Sequence, residues 1–148
     1  MWPFAALAFV LLAVFSLRGV RWAYVLFIVL GLAYFPARVG FRIDPHACQL
    51  AFSARLAAFS LTNYAHIVLF ALFFVMSSRQ FGKQASLGST LARAVLATLT
   101  MGALVELAQG VTGNGNCRLR DLIPDSAGIV LGASTMTLWH RARRFRAG

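Results

Sequence analysis

Five apolar runs, separated by short stretches that contain charged residues, glycine or proline, dominate this sequence. A helix needs about 20 apolar residues to cross a bilayer, with a range of about 17 to 25, and each run approaches that length. The pattern predicts an all-α integral membrane protein, a small bundle of about five transmembrane helices in one domain that covers residues 1–148. The predicted spans are residues 2–17, 22–35, 61–78, 89–111 and 122–140.

The composition agrees with a bilayer as the solvent of this chain. Hydrophobic residues make up 59% of it and charged residues 12%, against roughly 25% charged residues in soluble domains. The net charge of +10 raises nucleic-acid binding as an alternative. The 14 Lys and Arg residues, however, lie in small clusters between the apolar runs, so we expect them to flank a membrane and expect no nucleic-acid partner.

The N-terminal run does not have the features of a cleaved signal peptide. Met-Trp-Pro-Phe supplies no positive residue, and a second apolar run follows almost at once, so we expect the first run to be retained. At the other end, Trp139 suits a membrane interface. We interpret the basic tail at residues 141–148 as a topology determinant, with contact to anionic lipid as an alternative.

The distribution of Lys and Arg predicts the orientation. With five spans, alternate connections face opposite sides, and cytoplasmic connections carry more Lys and Arg. Nine fall on one side and five on the other, which predicts an exterior N-terminus and a cytoplasmic C-terminus. The nine are Arg18, Arg21, Arg79, Lys83, Arg93, Arg141, Arg143, Arg144 and Arg146, and the five are Arg38, Arg42, Arg55, Arg118 and Arg120.

The connection between the second and third runs has a mixed pattern. Asp44-Pro45 is a good helix start, with Asp as the cap and Pro at the first helical position, and predicts a short interfacial or re-entrant helix. The two cysteines, Cys48 and Cys117, both fall in connections assigned to the exterior. A disulfide between them is compatible with an oxidising compartment, and the sequence leaves open whether it forms.

Polar residues of the third, fourth and fifth runs converge at the outer face in this topology. Ionisable groups cost about 2.5 to 3.5 kcal/mol at the centre of a membrane helix and therefore usually face a bundle interior or a wet cavity. We predict a polar pocket that opens to the outer face, with two arginines close enough to pair with its carboxylates. Its predicted members are His66, Glu106, Gln109, Arg118, Arg120, Asp121 and Asp125.

Three glycines share helical stripes with these polar residues. Gly102 lies one turn before Glu106 in the fourth run. Gly128 and Gly132 form a G-x-x-x-G pair in the fifth run, which allows close approach of another helix. We predict that all three are packing residues and that the fourth run is the neighbour of the Gly128–Gly132 pair.

Each polar residue also has a purely structural interpretation. Glu106 and Gln109 suit a network that clamps the fourth run to the arginines or to His66. Asp125 suits the cap of the fifth helix, and a lone His66 is typical of a hydrogen-bonded packing residue. If the protein is an enzyme, Glu106, His66 and Asp125 are the candidates for acid and base.

One stretch of sequence resembles a known signature. Glu106-x-x-Gln109, an arginine at 118 or 120, Asp121-x-x-x-Asp125 and the two glycines that follow at three- and four-residue spacing resemble the motif of the VanZ-like membrane proteins. His66 resembles, more loosely, a polar position at the start of the family's preceding helix. The resemblance covers residues 62–132.

The resemblance implies a small multi-pass protein of the bacterial cytoplasmic membrane, in a family named for a teicoplanin-resistance protein. We expect a binder of a membrane lipid or lipid-linked envelope precursor head group, with an effect on glycopeptide susceptibility as one consequence. Arg118 and Arg120 would contact phosphate or carboxylate. A membrane enzyme that acts on a lipid-linked substrate and a structural subunit are the alternatives. We expect no metal and no cofactor, and the sequence leaves the oligomeric state open.

Overall fold

The computed structural model describes residues 2–51, 53–82, 85–114 and 117–147. Within these residues the fold is all-helical, and the only β pairing is an isolated bridge between Gln49 and Arg118. The elements are α1 (Trp2–Leu17), α2 (Arg21–Arg38), α3 (Ala54–Ser60), α4 (Tyr64–Phe81), α5 (Leu87–Thr112), a 3₁₀ turn (Leu119–Asp121) and α6 (Leu122–Ala147).

The five long helices alternate in direction, so their ends fall into two groups. We call one group the acidic end, because all four acidic residues lie at or near it in the sequence: Asp44, Glu106, Asp121 and Asp125. It holds the connection from α2 to α4 and that from α5 to α6. The opposite group is the basic end, which holds the connections from α1 to α2 and from α4 to α5 and the C-terminal turns of α6.

Two helices in the described part of the chain, α4 and α5, are long and apolar enough to cross a membrane. In α1 the shorter stretch Ala6–Leu17 is apolar. α2 begins and ends with an arginine, and α6 continues through the basic residues at its C-terminus. The segment predicted as a basic tail is therefore helical up to Ala147.

The interior is formed mainly by α4 and its neighbours. Phe70, Phe73 and Met101 form one buried cluster, and the ring of Tyr24 stacks on Phe73 with centroids 5.6 Å apart. Tyr24 also shares a hydrogen bond of 2.9 Å with Ser77. These contacts join α2 and α5 to the same face of α4.

Gly128 and Gly132 pack against α4, so the predicted partner of this glycine pair was wrong. A Cβ atom at Gly128 would lie 2.6 Å from the carbonyl oxygen of Ile67, and one at Gly132 would lie 2.8 Å from a ring carbon of Phe74. The short connection between α5 and α6 places these two helices side by side, but it does not determine which face of α6 contacts α5. α5 approaches through its own Gly102, which faces Asp125.

The segment before α3 is not helical at Asp44-Pro45, which corrects the predicted start of the short helix. The backbone N–H of Asp44 donates to the carbonyl of Val111 at 3.1 Å, and that of His46 donates to Gly110 at 2.7 Å. These bonds hold the segment along the end of α5 and satisfy carbonyls that have no partner within that helix. The chain is thereby kept out of a helical conformation.

The short helix between the second and third long helices does form, nine residues later than Asp44. It begins after Ser53, whose side-chain oxygen accepts a hydrogen bond from the N–H of Leu56 at 3.2 Å. Serine is among the preferred helix caps because its oxygen satisfies a donor in the first turn. In the sequence, Ser53 is the residue that indicates where this short helix begins.

Candidate functional site

A disulfide fixes the frame of the acidic end. Cys48 and Cys117 are joined, with Cα atoms 4.7 Å apart and a sequence separation of 69. Gln49 donates its N–H to the carbonyl of Cys117 at 2.8 Å and accepts from Leu119 at 3.1 Å. The disulfide and this bridge tie the α2–α4 connection to the α5–α6 connection.

Two glycines at the end of α5 allow this close approach, and sequence reasoning missed both. A Cβ atom at Gly110 would lie 3.3 Å from Cys48 Sγ. Gly113 ends the helix in the left-handed region at φ +62°, and a Cβ atom there would lie 2.9 Å from the carbonyl oxygen of Asp44. A glycine just after the last apolar residue of a helix is a recognisable C-terminal signal, so Gly113 could have been found.

Glu106 is buried and joins α5 to the chain that follows it. Its side chain is 6% exposed, and Oε2 accepts a hydrogen bond from the backbone N–H of Arg118 at 2.7 Å. The expected clamp by Glu106 is therefore present, but it acts on the backbone of Arg118 and not on its guanidinium group. The other carboxylate oxygen, Oε1, is buried and has no partner among the described residues.

Arg118 provides a second buried polar atom without a partner. Its Nε is buried and donates no hydrogen bond within the described structure, although the residue as a whole is half-buried. Of the residues described, only His66 and Asp125 form an ion pair within 4.0 Å. The expected pairing of Arg118 and Arg120 side chains with the carboxylates is therefore not formed.

His66 and Asp125 form the second polar contact of the acidic end. His66 Nδ1 lies 3.0 Å from Asp125 Oδ1, and the side chains are 24% and 2% exposed. The imidazole also stacks on Phe70, with ring centroids 6.0 Å apart. A buried carboxylate on Nδ1 holds the ring in one orientation, and Nε2 remains as the second functional nitrogen.

This contact replaces the interpretation of Asp125 as a helix cap. α6 begins at Leu122, so Asp125 lies inside its first turn. Its hydrogen bond goes to His66 across to α4. Asp125 therefore joins two long helices at the point where α6 starts.

The Glu106 and Asp125 contacts are parts of one cluster. A Cβ atom at Gly102 would lie 2.7 Å from Asp125 Oδ2, and Gly102 precedes Glu106 by one helical turn. Glu106 in turn bonds to the backbone N–H of Arg118, and Asp125 bonds to His66. The structure thus brings together four predicted site residues, and Gly102 allows the approach as predicted.

The remaining predicted residues are less constrained. Gln109, Arg120 and Asp121 are half-buried. Asp121 ends the 3₁₀ turn, where its N–H donates to the carbonyl of Arg118 at 3.0 Å. The described structure gives the side chains of these three residues no hydrogen-bond partner, so they are available to a ligand at the surface of the cluster.

Within the described ranges, no group of three or more His, Cys, Asp and Glu side chains could hold a metal ion. His66 and Asp125 make a pair, and the nearby Glu106 bonds to a backbone N–H instead. The arrangement can therefore bind a polar group and can orient a base, but it does not supply a metal centre from its described side chains.

Comparison with known proteins adds no relative: no family model, no curated protein and no solved structure matches this chain.

Proposed function

We propose that this chain is a VanZ-like multi-pass protein of the bacterial cytoplasmic membrane, with α1, α2, α4, α5 and α6 as its five spans. The exposed surface supports this. Thirty large hydrophobic side chains are exposed in the described structure, against ten buried hydrophobic residues. Ten further buried residues are polar or charged, an arrangement that suits helices packed through small and polar residues in lipid.

Helix length supports the same proposal. At 1.5 Å per residue, the 16 residues of α1 and 18 of α2 reach about 24 to 27 Å, close to the hydrocarbon thickness of about 30 Å. α6 has 26 residues, or about 39 Å. The apolar part of α6 spans the membrane. The C-terminal turns of α6, which contain the arginines, extend beyond it.

The orientation follows from the charge of the two ends. By sequence the basic end carries nine Lys and Arg residues with no acidic residue, and the acidic end carries five with four acidic residues. The positive-inside rule then places the basic end and C-terminus in the cytoplasm. The acidic end and N-terminus face outward, where the Cys48–Cys117 disulfide is stable.

The acidic end, in this proposal, binds the head group of a membrane lipid or lipid-linked envelope precursor. The single observation that carries this is the pair of unsatisfied buried atoms, Glu106 Oε1 and Arg118 Nε. Buried polar atoms without a partner are rare and point to a bound group. One is an acceptor and the other a donor, so a ligand that bears both a hydroxyl or amide and a phosphate or carboxylate suits both.

Binding of a polyprenyl phosphate in lipid nanodiscs tests this proposal. The double variant Arg118→Ala/Arg120→Ala should bind at least about tenfold more weakly, because charge-assisted hydrogen bonds to the phosphate are lost. Arg42→Ala/Arg55→Ala is the matched control: it removes the same charge from exposed positions of the same end. Equal affinity of the Arg118/Arg120 variant and the parent would exclude the assignment.

His66 and Asp125 favour a second candidate, an enzyme that acts on a lipid-linked substrate. A partly exposed imidazole held by a buried carboxylate is an arrangement suited to a general base. Glu106→Gln and His66→Gln separate the candidates. An enzyme should lose turnover of the envelope precursor in both, whereas a binder should keep its affinity in His66→Gln.

An effect on glycopeptide susceptibility that survives every substitution in the cluster would favour a structural subunit instead.

A further inference from the structure

A cavity of about 530 Å³ lies at the basic end, far along the bundle from the acidic cluster. It is lined by the turn between α1 and α2, the last turn of α4, the first turn of α5 and the C-terminal half of α6, and it is open on one side. Four arginines line it, one from the turn between α1 and α2, one from the last turn of α4 and two from α6. They are Arg18, Arg79, Arg143 and Arg144.

No acidic side chain of the described residues neutralises the positive charge of this cavity. All four acidic residues belong to the acidic end, and the one ion pair among the described residues is there too. Four arginines around one cavity repel one another and attract an anion. The four arginine side chains are exposed, and a guanidinium group binds phosphate through a planar fork of donors.

Two of the arginines are already held in place. Arg79 donates from Nε to the carbonyl oxygen of Leu17 at 3.1 Å, which uses one of its five N–H donors. The guanidinium of Arg143 lies over the ring of Trp139, 5.0 Å from the centroid. Each of these contacts reduces the conformational freedom that the arginine would lose on binding an anion.

A buried hydroxyl provides independent evidence that a ligand belongs here. Ser78 lines the cavity and is 1% exposed, and its Oγ has no hydrogen-bond partner among the described residues. A hydroxyl can donate to a phosphate oxygen. Leu87, the first residue of α5, also lines the cavity, so the positive end of a 26-residue helix dipole faces the same space.

The lining is also apolar, which favours an amphiphile over a free anion. Met136, Leu87 and Trp139 face the cavity beside the arginines. Trp139 is 54% exposed and lies where α6 leaves its apolar part, as tryptophans at membrane interfaces do. A lipid can place its phosphate among the arginines and its glycerol and first methylene groups against these side chains.

We propose that this cavity binds the phosphate of an anionic membrane lipid, at the end of the bundle opposite the proposed precursor site. The inference depends on the membrane assignment but not on any ligand of the acidic end. Arg143 and Arg144 hold the phosphate from α6, Arg18 holds it from the α1–α2 turn, and Arg79 holds it from the last turn of α4. Ser78 donates its hydroxyl. Bound lipid thereby joins α6 to α1 and α4.

The test is native mass spectrometry of the detergent-purified protein with phosphatidylglycerol or phosphatidylcholine. The parent should retain phosphatidylglycerol preferentially. Arg143→Gln/Arg144→Gln should weaken that binding at least about tenfold, because two charge-assisted contacts are lost. Arg141→Gln/Arg146→Gln is the matched control on the same helix, with the same loss of charge outside the cavity lining, and should stay within about threefold of the parent.

Three results would overturn the proposal. Equal losses of phosphatidylglycerol binding in the two double variants would mean that the lipid is attracted by the overall positive charge and not by a specific site. Equal retention of both lipids by the parent would remove the phosphate specificity. Displacement of the lipid by millimolar inorganic phosphate would identify a soluble anion as the ligand.

Two further variants keep the result interpretable. Ser78→Ala should reduce phosphatidylglycerol retention without a change in the helical circular dichroism spectrum, and unchanged retention would remove the hydroxyl from the site. Arg42→Ala, at an exposed position of the acidic end, should leave phosphatidylglycerol binding unaltered. Because Arg143→Gln/Arg144→Gln leaves the acidic cluster intact, its retention of phosphatidylglycerol reports on this cavity, and failure here is distinguished from failure of the proposed precursor site.

Discussion

The acidic end and the basic end are formed by opposite ends of the same five long helices but are stabilised differently. At the acidic end, a disulfide, a backbone bridge and the His66–Asp125 contact connect separate elements. At the basic end, Arg79 and Gln80 reach backbone carbonyls at the end of α1, at 3.1 and 2.9 Å. Arg79 also lines a cavity there, together with Arg18, Arg143 and Arg144. Substitutions of the residues that connect elements at the acidic end should therefore change stability, whereas substitutions of the cavity arginines at the basic end should change lipid binding more than stability.

Loss of the disulfide is expected to have the largest effect. In the chain-entropy treatment, closing a loop of 69 positions stabilises the folded state by about 4 kcal/mol. Cys48→Ser/Cys117→Ser should lower the melting temperature in detergent, and a reductant should lower that of the parent to a similar value. The double variant itself should be insensitive to reductant. Alkylation of both thiols in the unreduced parent would refute the cross-link.

Gly128→Ala should come next. Its added Cβ would lie 2.6 Å from the carbonyl oxygen of Ile67, so α4 and α6 must separate, and overpacking of this kind costs about 1 to 3 kcal/mol. Gly88→Ala, near the basic end, is the control, because a Cβ there meets nothing within 4 Å. It should be neutral or slightly stabilising. Equal melting temperatures of the two variants would contradict the α4–α6 packing.

These two sites show what the sequence could and could not predict. The apolar runs predict the five long helices well: the first was expected at residues 2–17 and is observed at Trp2–Leu17. The second was expected to end near Phe35 but continues through Pro36 to Arg38. Pro36 has no N–H to donate to the carbonyl four residues earlier, so α2 loses one hydrogen bond there and ends two residues later, at Arg38.

The sequence could not predict contacts that depend on tertiary geometry. The G-x-x-x-G pair predicts a close helix neighbour, but the choice of α4 over α5 depends on how α6 is rotated. In the same way, Asp44-Pro45 has the local preference for a helix start, and hydrogen bonds to the end of α5 override it. The convergence of His66, Glu106 and Asp125 followed from topology and spacing, and their contacts with one another and with Arg118 did not.

The His66–Asp125 contact should contribute less than the glycine packing, and a double-mutant cycle with His66→Ala and Asp125→Ala measures it. Because Asp125 is almost fully buried while His66 is partly exposed, we expect a coupling energy of about 1 kcal/mol. Unfolding in a mild denaturant, followed by circular dichroism, provides the four stabilities. Additive effects would mean that the two side chains are neighbours without a stabilising interaction.

The smallest change in stability is expected for Arg143→Gln at the basic end. The variant loses the contact with the Trp139 ring at 5.0 Å, and an exposed cation–π contact contributes about 0.5 to 1 kcal/mol. Arg143→Lys should recover part of it because the cation is kept, and Arg141→Gln is the control without such a contact. The measurement is the melting temperature in lipid-free detergent. No bound lipid can account for a change in melting temperature under these conditions. A decrease as large as that of Gly128→Ala would therefore mean that the basic end also stabilises the fold, and the contrast between the two ends would be wrong.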